Sequence, residues 1–113
     1  MKNTILVILF SLTSTLAFSQ EQDTTFLVNG VCGMCQKTIY NALDVEGIES
    51  VEWSPETKVM ALSFDSSVVT FEKIHQLILE AGYDTEFETA PEDKYQALNP
   101  CCKYRDPEVI SAH

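Results

Sequence analysis

Hydrophobic periodicity changes from segment to segment between residues 24 and 88, and this alternation restricts the folds open to the chain. "TTFLVNG" is rich in β-branched and aromatic residues and closes at Gly30, which predicts a strand over 24–29. Cys35, Ile39, Ala42 and Leu43 then form the apolar stripe of a helix expected to stop at Gly47. "IESVEW" precedes the Ser54-Pro55 turn and predicts a second strand. "KVMALSF" alternates Met60, Leu62 and Phe64 with Ala61 and Ser63, a third strand with one buried face. From Thr70 a second helix presents Phe71, Ile74, Leu77, Ile78 and Ala81 on one side, carries Glu72 in its first turn and stops at Gly82; "YDTEFE" supplies a fourth, more exposed strand.

The resulting order, β-α-β-β-α-β, predicts an α+β fold: a ferredoxin-like sandwich with two helices on one face of a four-stranded antiparallel sheet. A chain of 113 residues has room for one such domain. Ahead of it, "MKNTILVILFSLTSTLAFSQ" combines Lys2, a short apolar run and small residues before Ser19, the pattern of a secretory signal peptide over 1–19. That reading implies export, into a bacterial periplasm, with no stable membrane insertion after cleavage, because the apolar run is too short to span a bilayer. The domain is then expected over 20–88. Residues 89–113 form a tail with a short helix over 92–98 and disorder after Arg105.

Chemistry enters with the cysteines. Cys32 and Cys35 are two residues apart at the junction of the first strand and first helix; Cys101 and Cys102 are neighbours in the tail. Thiolates suit soft ions such as Cu(I) and Zn(II), and a Cys-x-x-Cys pair can converge on one ion where a chain turns into a helix. Unsatisfied N–H groups at the helix start favour the ionised thiols. In an oxidising compartment a disulfide staple is an alternative, although adjacent Cys101 and Cys102 are poorly placed to bond each other. A thiol–disulfide oxidoreductase would use the same spacing on a thioredoxin-type pattern with a cis-proline loop, whereas Pro55 here lies in a hairpin turn. The net charge of −10, one unit more acidic once Lys2 is removed, argues against nucleic acid and anionic membranes as partners. His75 and His113 read as solvated, and Trp53 as edge packing. No arrangement for hydrolysis or phosphoryl transfer emerges.

With these residues the chain resembles the heavy-metal-associated domain family of small copper chaperones, transporter modules and mercuric-ion binding proteins. The likeness covers 24–88 and rests on "VNGVCGMCQKTI", the strand pair joined across "SPETK", and "LILEAGYDTEF". It implies a metal-binding protein rather than an enzyme, with Cys32 and Cys35 as ligands. Cu(I) is the foremost ion, with Hg(II), Zn(II) or Cd(II) as alternatives. The ion would pass by thiolate exchange to a metal transporter or efflux component with its own cysteines, the carrier acting as a monomer or a metal-bridged dimer. The resemblance also implies that Tyr83 lies near the metal. The chain departs from the family where Gly30 replaces a methionine two residues before the first cysteine; its methionine, Met34, lies between the cysteines. Three roles are open to Met34: a hydrophobic plug, a thioether ligand, or an exposed side chain. Cys101 and Cys102 are extra, and the dozen residues between 89 and 100 are long enough to carry them back to the loop.

Overall fold

A computed structural model describes residues 20–113. The signal-peptide reading of 1–19 lies outside the described residues. Strands β1 (Glu21–Leu27), β2 (Ile48–Trp53) and β3 (Val59–Asp65) alternate with helices α1 (Gly33–Ala42) and α2 (Phe71–Glu80). In the tail follow α3 (Glu92–Gln96), a 3₁₀ turn at Pro100–Cys102, and α4 (Pro107–Ser111). Central β3 pairs antiparallel with both neighbours, placing Phe26 and Trp53 on either side of Met60. The period-two pattern therefore puts Phe26, Trp53, Met60, Leu62 and Phe64 on one buried face. Ile39 of α1 with Ile74 and Ile78 of α2 pack against them in a single core.

Local signals explain the second helix. Thr70 caps α2 by accepting a hydrogen bond from the Lys73 N–H at 3.1 Å, and Gly82, at φ 102°, leaves the helix in the left-handed region. The first helix differs from expectation. It ends at Ala42 with Leu43 as its cap, so Gly47 is not its stop. Gly47 instead leads into β2 at φ 97°, where its carbonyl accepts from the Asp65 N–H at 2.7 Å.

The expected fourth strand is also corrected. Among the described residues the sheet has three strands, and the segment after α2 contributes one isolated antiparallel bridge, Val28 to Thr85. Asn29 donates to the Asp84 carbonyl (2.9 Å) and Glu86 to the Leu27 carbonyl (3.0 Å), so pairing with the end of β1 begins. It stops because the Thr85 hydroxyl accepts from the N–H groups of Phe87 (3.1 Å) and Glu88 (3.2 Å), closing a tight turn instead of an extended ladder. His75, read as solvated, buttresses this turn: its Nε2 lies 2.7 Å from Thr85 Oγ1 and its ring stacks on Phe71.

The tail folds back onto the domain through side chains rather than a periodic stripe. Tyr104 stacks on Tyr83 at 5.6 Å between ring centroids and meets Tyr95 edge-on at 5.1 Å. Its hydroxyl donates to the Gly82 carbonyl at 2.7 Å and accepts from the Asp84 N–H at 2.8 Å. Arg105 lies over the Tyr95 ring and grips Asp84 with two nitrogens, Nη2 at 2.7 Å and Nε at 3.0 Å. Against burial, which alone would raise it, the hydrogen bonds from Arg105 and the Ala90 N–H hold the Asp84 carboxyl below the usual range. Beyond Arg105, where disorder was expected, Asp106 caps α4 through the Glu108 N–H at 2.9 Å.

Candidate metal centre

The loop after β1 is held from three sides. Val28 N–H bonds the Lys58 carbonyl at 2.9 Å, Asn29 N–H bonds Asp84, and the Lys58 ammonium bonds the Gly30 carbonyl. Trp53 lies beneath: it is 3% exposed, and its indole N–H donates to the Val28 carbonyl at 3.0 Å. Gly30 rests directly on that ring, and a Cβ there would sit 2.7 Å from Trp53 Cη2. Trp53, read from sequence as edge packing, is therefore the floor of the loop. The same absence of a side chain that departs from the family pattern at Gly30 is what admits it. Sequence reasoning missed the roles of Trp53 and Lys58, because both depend on how the end of β2 and the hairpin fold over the loop, and Lys58 stands out only by its φ of 66° in the folded chain.

Cys32 occupies the N-cap position of α1 in extended conformation, and its side chain makes no capping hydrogen bond. Its sulfur points instead to other sulfurs. Cys32 Sγ lies 3.4 Å from Cys35 Sγ, in the first turn of α1, and 3.6 Å from Cys102 Sγ, in the 3₁₀ turn of the tail. The sulfurs of Cys32, Cys35 and Cys102 all fall within 4.8 Å of one another. All four cysteines are free thiols, and these separations lie well beyond a disulfide's ~2.05 Å. A metal–sulfur bond of about 2.3 Å puts three trigonal sulfurs about 4.0 Å apart. The two separations from Cys32, 3.4 and 3.6 Å, lie a little inside that spacing, and no pair exceeds 4.8 Å.

Burial and charge differ among the three. Cys35 is 0% exposed and Cys102 1%, while Cys32 is partly open to solvent. Partial burial raises the Cys32 pKa, but the Cys35 N–H and the neighbouring thiols Cys35 and Cys102 outweigh it and hold Cys32 below the ordinary value. Burial pushes the Cys102 thiol up, and its contacts with Cys35 and Cys32 add to the rise. Cys32 therefore ionises more readily than Cys102, whose proton leaves when a cation displaces it.

Tyr83 is fully buried behind this cluster. Its hydroxyl has no hydrogen-bond partner, and burial followed by the charge of Cys35 pushes its pKa far upward. The fourth thiol is separate from the three: Cys101 Sγ lies 3.5 Å from Met34 Sδ and 4.0 Å from Cys102 Sγ, toward solvent. Met34, 47% exposed, is no plug. Among the described residues no helix is long and apolar enough to cross a membrane.

A profile of the heavy-metal-associated domain matches residues 25–84. Three solved structures are similar to part of this chain. A Bacillus anthracis str. Ames protein assigned as copper-ion-binding is 30% identical, with a TM-score of 0.57, over 60% of this chain and 99% of its own. The CopZ metallochaperone is 26% identical, with a TM-score of 0.54, over 57% of this chain and 98% of its own. Oxidized MerP from Ralstonia metallidurans CH34 is 29% identical, with a TM-score of 0.54, over 58% of this chain and 94% of its own. A search of curated proteins returns no match.

Proposed function

The chain belongs to the heavy-metal-associated domain family, and from that premise we propose that it is an exported metallochaperone or scavenger holding a thiophilic ion between Cys32, Cys35 and Cys102. The observation that carries this reading is the convergence of three sulfurs within 4.8 Å. Residues 20–88 form the metal-binding domain, a ferredoxin-like sandwich whose fourth edge strand is reduced to one bridge; residues 89–113 supply the third thiol. Cu(I) is the preferred cargo, because three thiolates in low coordination suit a soft monovalent ion and a similar structure is assigned as copper-ion-binding; Hg(II), Zn(II) and Cd(II) are the competing ions.

Loading begins at Cys32, the partly exposed thiol with a lowered pKa, and the ion then draws in the buried Cys35 and Cys102, each thiol that binds giving any proton it carries to solvent. An ion held by three sulfurs keeps an open side. A partner's thiolate adds there before a resident sulfur leaves, so the cargo moves by exchange without being released into water. The partner is a metal transporter or efflux component with its own cysteines, and a net charge of −10 suits docking onto a basic surface. The carrier works as a monomer or a metal-bridged dimer, in the periplasm, where the signal peptide would deliver it.

Anaerobic titration of the reduced protein with Cu(I), Zn(II) and Hg(II) in competition tests this function. Cys32→Ser and Cys35→Ser should each lose tight binding while far-UV circular dichroism is retained. Cys102→Ser should weaken binding by more than the roughly 10–100-fold that follows loss of a residue supporting a ligand. Wild-type affinity in both Cys32→Ser and Cys35→Ser would reject the site. The depressed Cys32 thiol at a helix start also suits thiol–disulfide exchange, and an insulin-reduction assay separates that rival: turnover would favour it.

A further inference from the structure

We propose that Cys101 and Met34 form a second, outer soft-cation site that shares the Cys102 sulfur with the inner one, so that one chain holds two Cu(I) ions at saturation. The inference rests on the three-thiolate site described above. Five sulfurs form a continuous chain from the interior to the surface. Its steps are 3.4 Å from Cys35 to Cys32, 3.6 Å to Cys102, 4.0 Å to Cys101 and 3.5 Å to Met34. With metal–sulfur bonds of about 2.3 Å, two sulfurs can share one ion up to about 4.6 Å apart, and every step satisfies this. The inner ion uses three of these sulfurs, which leaves Cys101 and Met34 adjacent to each other and next to Cys102, whose thiolate has lone pairs enough to bridge two ions.

The surroundings hold this outer pair in place. Asn99 Nδ2 approaches Met34 Sδ at 3.0 Å, His113 Nε2 lies 3.3 Å from the Cys101 carbonyl, and the Cys32 thiol lies 3.6 Å from that same carbonyl. Met34 is 47% exposed and contributes little to the core, so its sulfur, beside the Cys101 thiol, is accessible to an incoming ion. The chemistry selects the ion class. A thioether is neutral and soft, which suits Cu(I) and disfavours harder divalent ions. When Cu(I) binds there, Cys101 loses its proton to solvent, so one positive charge replaces another and the cluster's net charge is unchanged.

Native mass spectrometry of the reduced protein, titrated anaerobically with Cu(I) alone, counts ions per chain. Wild type should take two on a monomer. The Cys101→Ser, Met34→Leu double variant should take one, with inner affinity within about threefold of wild type. Met34→Leu alone, which keeps the side-chain volume, should weaken the second ion while leaving the first unchanged. Saturation of wild type at one ion per chain, or at one ion bridging two chains, would overturn the outer site and leave the inner one standing. Two ions still bound by the double variant would also overturn it. No binding at all would remove both.

Discussion

Replacing Tyr104 by Phe deletes one oxygen and keeps the ring, so it isolates the joint between tail and domain. In the folded protein that oxygen donates to the Gly82 carbonyl at 2.7 Å and accepts from the Asp84 N–H at 2.8 Å, at a residue only 5% exposed. Without it, a carbonyl and an N–H lose their partner where water reaches poorly. A neutral hydrogen bond contributes about 0.5–1.5 kcal/mol net, and an orphaned buried group costs about 1–3 kcal/mol. The two bonds share one atom and are not independent, so we expect a loss of about 2 kcal/mol. For a domain of this size that corresponds to a fall in melting temperature of about 10 °C. Urea unfolding followed by circular dichroism measures the free energy, and hydrogen exchange at the Asp84 amide should quicken with it. Tyr95→Phe is the matched control: its hydroxyl accepts a single bond, from the Arg105 N–H at 3.2 Å, and its loss should cost about 1 kcal/mol or less. Equal effects from the two variants, or an unchanged Asp84 amide, would refute the assignment of the Tyr104 hydroxyl as the joint.

Gly30→Ala puts a Cβ 2.7 Å from Trp53 Cη2 and 3.3 Å from Cys35 Cβ, so it should destabilise by about 1–3 kcal/mol and weaken metal binding; adding Trp53→Phe, which removes the obstructing carbons, should restore part of both in the same titrations. Tyr83→Phe removes a buried hydroxyl that has no partner in the metal-free protein, so thermal stability should hold or rise. Cu(I) affinity should nonetheless fall about tenfold, because the hydroxyl can donate to a thiolate once the cysteines are charged; unchanged affinity would show that it does not. Asp84 has a depressed folded pKa, so its contribution is fully present above its unfolded value of about 3.9 and is lost as pH falls through the lower folded value. Asp84→Asn should therefore be less stable than wild type at neutral pH, and the gap should close below about pH 4; a gap that persists in acid would mean the charge is not its source.

Local pattern carried much of this protein. The alternation of period-two and helical stripes between residues 24 and 88 determined the α+β order, Thr70 and Gly82 determined the bounds of α2, and the Cys32–Cys35 spacing at a strand–helix junction pointed to soft-metal chemistry. These are near-neighbour properties, written in residues a few positions apart. Gly47 misled because a glycine signals a left-handed residue without saying which element it serves. Thr85 ended the fourth strand with a hydroxyl turn that a β-branched residue in a strand-like run does not announce.

What only the tertiary structure decided was the company each sulfur keeps. Cys102 lies 70 residues from Cys32, and its return depends on Tyr104 and Arg105 gripping the loop at 82–84. Sequence length showed that the tail could reach the loop, but not which of two adjacent thiols would turn inward. Successive side chains of a tight turn point in different directions, and packing against Tyr83 and the Cys32 loop selects Cys102 for the interior while leaving Cys101 beside Met34 at the surface. Trp53 became the floor of the metal loop for the same reason: contact across a sheet depends on register and on a missing Cβ at Gly30, neither of which is visible one residue at a time.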